Sequence, residues 1–343
     1  MRALQYTRIG GPLEVVEVPI PTPGPGEVLL RISAAGICHS DLHIMAAPAD
    51  DYRFGPLPMT LGHEAAGVVV ANGDGANHFS IGTPVLVYGP WGCGICRQCS
   101  GGQENYCTSA TGVRPPGIAV DGALAEYLLV DSERHLIPLD GLDPVQAVAL
   151  TDAGLTSYHA VKRAMPTLGA GKIAVVIGVG GLGHLAIQII RALSSASIIA
   201  VDISDDKLRL ARRVGADHAI PGDDSAEAAI ADISRGQGVD AVFDFVGSPQ
   251  TVGLAGAVAT TYADISILGV GGGALPVGYR RLPFDASVRS AFWGSRSELW
   301  EVMDLAHSGH LEVEVESHPL ENASEAYARL SRGQVLGRAV IIP

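Results

Sequence analysis

Up to about residue 150 the apolar positions fall in short runs, at 27–32, 66–70, 85–88 and 126–130, with Pro and Gly punctuation at 19–26 and 55–58. Runs of that length bounded by turn residues predict β-strands joined by loops, and hence a mostly β domain. Near residue 172 the pattern changes. An apolar run at 173–177 is followed by an amphipathic segment at 182–193, strand 198–201, helix 205–214, strand 239–246, helix 250–258 and strand 265–268. Strand and helix in alternation predict an α/β fold with a doubly wound parallel sheet. After about residue 288 come another short apolar run, a helix near 297–306 and a terminal β-type run at 338–342. These either extend the sheet domain or rejoin the first one.

A length of 343 residues fits two domains, and 47% hydrophobic against 17% charged residues excludes a disordered chain. The net charge of −13 opposes binding to nucleic acid or to an anionic membrane surface and favours a small ligand. Residues 1–12 contain no continuous apolar core, so a cytoplasmic protein without a secretory signal is expected. The long apolar stretch at 173–190 is broken by His184, Gln188 and several glycines, which argues against a membrane span.

Four of the five cysteines, Cys93, Cys96, Cys99 and Cys107, are spaced C-x2-C-x2-C-x7-C on a Gly-rich loop at about 90–110. Four thiolates so close suit a closed tetrahedral zinc site in a reducing compartment; ordinary thiols, disulfides or an iron–sulfur cluster are the alternatives. The fifth, Cys38, lies in Gly36-Ile37-Cys38-His39-Ser40-Asp41-Leu42-His43, with Gly62-His63-Glu64 downstream. A thiolate, an imidazole and carboxylates without a second cysteine match an open catalytic zinc site. Taken singly, Cys38 reads more readily as a buried thiol and His63-Glu64 as a surface pair.

Gly178-Val179-Gly180-Gly181-Leu182-Gly183 follows a strand and opens a helix, and Asp202 ends the next strand. That is a dinucleotide fingerprint: the glycines admit a pyrophosphate to the helix N-terminus, and Asp202 can accept from ribose hydroxyls. A carboxylate there repels a 2′-phosphate, and Ile203-Ser204-Asp205-Asp206 offers no Arg to hold one, so NAD is expected over NADP.

In this order the motifs resemble the zinc-dependent medium-chain alcohol dehydrogenases, most closely the bacterial NAD-dependent secondary-alcohol dehydrogenases, from end to end. The resemblance implies a Rossmann domain at 151–287 inserted in a mostly β, GroES-like catalytic domain formed by 1–150 and 288–343. It implies two zinc ions per chain, a homo-oligomer (dimer or tetramer), and an alcohol or ketone as substrate. It makes Asp152 the third catalytic zinc ligand, with a helix N-cap as the alternative role. Glu64 would lie close to that metal and Asp41 would orient His63. Ser40 would take the substrate's proton, and His43 either relays it or only lines the pocket.

The same resemblance brings Arg338 to the cofactor pyrophosphate and Val246, Gly269 and Val270 to the adenosine and nicotinamide sides. It makes Phe54, Ile118, Phe292 and Trp293 the substrate pocket, with core packing as the alternative for each. A polyol or amino-alcohol dehydrogenase is the nearest rival. A non-catalytic nucleotide-binding protein is the rival from another class.

Overall fold

The computed structural model describes residues Met1–Pro343. The chain divides into two compact units: Met1–Asp152 with Ser295–His307 and Val313–Pro343, and Ala153–Gly294 with Ser308–Glu312. Both chain ends therefore build the first unit.

That unit is centred on a seven-stranded sheet in the order Val315–Pro319, Arg338–Ile342, Val28–Gly36, Glu64–Asn72, Pro84–Val87 and Leu136–Pro138, with Tyr127–Val130 also paired to Val28–Gly36. The β-branched and aliphatic residues of these strands fill a core with Leu4, Tyr6, Leu30, Val69, Leu124, Tyr327 and Ile341. Val28–Gly36 pairs antiparallel with Glu64–Asn72 so that Gly36 faces Glu64, and on its other side Gly36 faces Val340. This register sets residue 64 and the C-terminal strand beside the loop that starts at Ile37. A Cβ at position 36 would lie 1.7 Å from Glu64 Oε2, so only glycine leaves room for that carboxylate.

The second unit holds six parallel strands: His218–Pro221, Ser197–Asp202, Ile173–Ile177, Val239–Asp244, Ala259–Ile267 and Ser287–Ser290. In chain order these are the third, second, first, fourth, fifth and sixth, the doubly wound arrangement whose order reverses between Ile173–Ile177 and Val239–Asp244. The helix Asp205–Arg213 carries Asp205 and Asp206 in its first turn and Arg212 and Arg213 in its last, each matched to the helix dipole. Ser248 caps Pro249–Val258 by accepting from the Thr251 amide.

The return to the first unit comes at Ser295 rather than near 288, because Ser287–Ser290 pairs with Ala259–Ile267 and keeps the chain in the sheet. The sequence pattern also passed over His218–Pro221 and Ala226–Ile233. No helix is long and apolar enough to cross a membrane.

Candidate active site

Cys38 ends the loop after Val28–Gly36 and precedes the helix His39–Ala46; His63 precedes Glu64–Asn72, and Asp152 follows a 3-10 turn, Val148–Thr151. Cys38 Sγ lies 3.7 Å from Asp152 Oδ2, and His63 Nε2 lies 3.5 Å from the same oxygen. The three ligand atoms are all within 4.8 Å of one another. Zinc bond lengths place tetrahedral ligand atoms roughly 3.3–3.8 Å apart, so this set fits the ion.

Asp41, fully buried, lies with Oδ1 3.2 Å from His63 Nδ1, which leaves Nε2 facing the other ligands. Asp41 Oδ2 accepts the Cys38 amide at 2.9 Å. Ser40 Oγ is 3.6 Å from Cys38 Sγ. His43, exposed on the same helix, meets the Phe54 ring edge-on at 6.1 Å between centroids.

Arg338, expected on a pyrophosphate, is only 3% exposed here, and its guanidinium is turned onto carboxylates. Nε donates to Glu64 Oε2 at 3.0 Å, Nη2 to Glu64 Oε1, and Nη2 also to Asp152 Oδ2 at 3.3 Å. Burial pushes the Glu64 carboxyl up to about 7, against the pull of Arg338. Burial alone would lower the pKa of His63, but Asp41, Asp152 and Cys38 outweigh it and hold the imidazole well above the ordinary histidine value. The surroundings of His63 thus favour positive charge, as a cation site requires.

The four cysteines of the lobe come together separately. Sγ–Sγ distances are 3.4 Å for Cys96–Cys99 and 3.9 Å for both Cys93–Cys99 and Cys96–Cys107, suitable for one ion and too long for disulfides. The backbone amides of Cys99 and Thr108 pull the Cys96 thiol down to about 5, whereas burial pushes the Cys99 thiol up to about 12. Behind the lobe, Glu104 accepts from the Gly92 amide at 3.2 Å and from Arg134 Nε at 3.3 Å, and lies 3.0 Å from His135 Nε2. The Trp91 ring stacks on His135. This anchoring group carries no sequence signature.

In the second unit, Gly178 follows the strand Ile173–Ile177 and Val246 follows Val239–Asp244, so the two flank the reversal of strand order. A Cβ at Gly183 would lie 1.9 Å from the Gly178 carbonyl, which seats the helix Gly183–Leu193 tightly against the loop. Nothing lies within 4 Å of a Cβ built at Gly180, leaving backbone open to a ligand. Asp202 accepts the Val179 amide on Oδ2 at 2.7 Å and the Ser204 amide on Oδ1 at 3.0 Å, so it braces the loop as well as facing it. Asp244, not singled out by sequence, accepts the Val246 and Gly247 amides at 2.9 Å each and shapes the facing turn. The Gly271 amide donates to the Val246 carbonyl at 3.1 Å, which brings the Gly269–Val270 loop beside Val246.

The apolar pocket candidates are placed within their own units. Phe54 and Ile118 pack on the first unit's core, joined by the Gly55 amide donating to the Ile118 carbonyl at 2.8 Å. Phe292, 46% exposed, meets buried Trp293 edge-on in the second unit.

Residues 24–141 match the family model of the alcohol dehydrogenase GroES-like domain, and residues 181–308 match that of the zinc-binding dehydrogenases. The chain is 37% identical to an NAD-dependent alcohol dehydrogenase of Sulfurisphaera tokodaii, with all of both chains covered. It is 33% identical to a D-arabinose 1-dehydrogenase (NADP(+)) of Saccharolobus solfataricus, covering 100% of this chain and 97% of that one. Among solved structures, the alcohol dehydrogenase of Aeropyrum pernix superposes with a TM-score of 0.92 at 33% identity, with 100% of both chains covered.

Proposed function

The chain belongs to the zinc-dependent medium-chain alcohol dehydrogenases, and from that premise we propose reversible oxidation of alcohols to ketones or aldehydes, secondary alcohols preferred, with NAD as hydride acceptor. The observation that carries this reading is the Cys38, His63 and Asp152 set, three ligands of mixed type suited to a metal with one position left for substrate. Bound there, zinc supplies Lewis acidity toward the substrate oxygen, and NAD supplies the hydride acceptor. The four-cysteine lobe takes the second zinc, as a structural ion.

The chain's own residues then have distinct tasks. Asp41 holds the proton on His63 Nδ1 and keeps Nε2 available as a ligand atom. Ser40 Oγ, beside Cys38 Sγ, relays the proton of the substrate hydroxyl, releasing its own proton onward as it takes that one. Arg338 offsets the charge of Glu64 and Asp152, so that neither carboxylate is buried without a counterion. Gly180 and its neighbours receive the pyrophosphate at the helix N-terminus, and Asp202 selects NAD over NADP.

The relative that acts on D-arabinose raises a sugar reading, but Phe54, Ile118, Phe292 and Trp293 offer additional hydroxyls no partner. A homo-oligomer is supported by exposed Tyr262, Val277, Tyr279 and Phe284 and by Ser287–Ser290 as the end strand of its sheet. Five cysteines all placed in metal-ligand sets support a reducing, cytoplasmic setting. The deciding experiment is a panel of alcohols with NAD or NADP, followed at the NADH absorbance band. No turnover by metal-loaded protein with any simple alcohol or ketone would overturn the reading; light scattering tests the oligomer.

A further inference from the structure

Asp41 is itself held by a residue from the far end of the chain that no motif marks. Tyr327, on the helix Ala323–Ser331, is 3% exposed and donates its phenol proton to Asp41 Oδ2 at 2.8 Å. That same oxygen accepts the Cys38 amide, and the other faces His63 Nδ1. One fully buried carboxylate thus touches the backbone of one zinc-ligand residue and the ring of another, and the phenol fixes its plane. The terminal torsion of an aspartate is soft, so a carboxylate held by one donor alone would pivot.

We propose that Tyr327 is a positioning residue for metal: its hydroxyl, acting only through Asp41, orients the His63 ring and the Cys38 backbone and so raises the affinity of the Cys38–His63–Asp152 set for a divalent cation. Two donors on Oδ2 fix the plane of the Asp41 carboxylate and so keep Oδ1 3.2 Å from His63 Nδ1. The aromatic ring belongs to the core in any case, packed with the group that includes Leu330 and Ile341. Only the hydroxyl carries the proposed role. The inference rests on the zinc reading above.

The test compares wild type, Tyr327→Phe, Leu330→Ala and Asp41→Asn, each loaded with zinc or with cobalt. Chelator-driven release from the Cys38 site and the visible cobalt bands are recorded beside the melting temperature. Removing a partner of a ligating histidine typically costs 10–100-fold in metal affinity, and a hydroxyl one contact further out is expected to cost about 3–10-fold. Tyr327→Phe should therefore release metal several-fold faster with shifted cobalt bands, while the four-cysteine site keeps its ion. Leu330→Ala should lower the melting temperature without either change, and Tyr327→Phe should add little in the Asp41→Asn background.

Wild-type release and bands in Tyr327→Phe would overturn the proposal, as would equal effects from Leu330→Ala or a full effect without Asp41. If Tyr327→Phe does not fold, 3,5-difluorotyrosine at position 327 keeps the shape and changes the donor strength, so unmoved bands would overturn it. A wild-type chain that takes no metal at Cys38 removes the zinc reading and this inference together; a loaded wild type with an unaffected Tyr327→Phe removes only the inference.

Discussion

Gly36 faces Glu64 across two antiparallel strands, and the space left by its missing side chain holds the Glu64 carboxylate. A displaced carboxylate could swing aside cheaply on the surface. Here it is fully buried and gripped at two points by Arg338, so moving it breaks a buried ion pair.

Gly36→Ala is accordingly expected to destabilise the protein far more than a glycine-to-alanine change in an ordinary strand. Arg338→Met should do the same, because it strands the Glu64 charge. Breaking one side of a buried pair costs about 3–5 kcal/mol, and Arg338→Met with Glu64→Gln should recover part of it. Urea unfolding of the single and double variants checks this; additive losses in the double variant would show that the pair is not the cause.

Metal content separates the two zinc sites. Wild type should bind two zinc ions per chain, since both ligand sets have zinc-like spacing. Cys38→Ser and His63→Ala should each retain one ion and lose turnover with the fold largely kept. Cys96→Ser should mainly lower thermal stability, because its site closes a loop rather than meeting substrate. Elemental analysis with thermal melts reads both effects, and one zinc per wild-type chain would contradict the assignment.

The parallel sheet, its order-reversing crevice and the four-cysteine set are legible because their signals are local, whereas Asp152 enters the other set only through the family resemblance. Ile173–Ile177 is a continuous apolar run, and cysteine spacing or a Gly-rich turn is chemistry written over a few residues. His218–Pro221 escaped because an end strand of four residues that finishes in Pro carries no apolar run. Tyr327 and the Glu64–Arg338 pair escaped for a different reason. Their partners are 286 and 274 residues away, and nothing in a lone buried Tyr or a strand Arg names the carboxylate it will meet.

Asp202 braces the Gly-rich loop through two amides, and the proposed function also gives it the choice of cofactor. Asp202→Gly should weaken use of NAD and reduce discrimination against NADP, since it removes the ribose acceptor and the phosphate-repelling charge together. A hydrogen bond to a charged group contributes about 1.5–3 kcal/mol, or roughly tenfold or more in specificity. The bonds from Asp202 to the Val179 and Ser204 amides add a second expectation, a lower melting temperature for the variant even without cofactor. Kinetics with both dinucleotides test the first, and wild type already preferring NADP would show the assignment wrong.

The proposed substrate class rests on what four apolar residues can and cannot offer. Phe54, Ile118, Phe292 and Trp293 supply apolar surface, and each methylene of an alkyl or aryl arm buried against such surface contributes about 0.8 kcal/mol. An additional hydroxyl gains no partner from them and loses water at a cost of about 1–3 kcal/mol. Trp293 is also fixed in place: its backbone is left-handed, with φ 54°, an unusual conformation for so large a side chain, and its ring is buried against Phe292. Hydrophobic secondary alcohols and methyl or aryl ketones are therefore expected to show higher kcat/KM than ethanol, sorbitol or threonine, and Trp293→Ala should shift preference toward bulkier arms. Equal or higher kcat/KM with sorbitol or threonine would defeat the apolar reading. A clear preference for ethanol would defeat only the preference for two-armed alcohols, because burial of a short arm is still consistent with apolar walls.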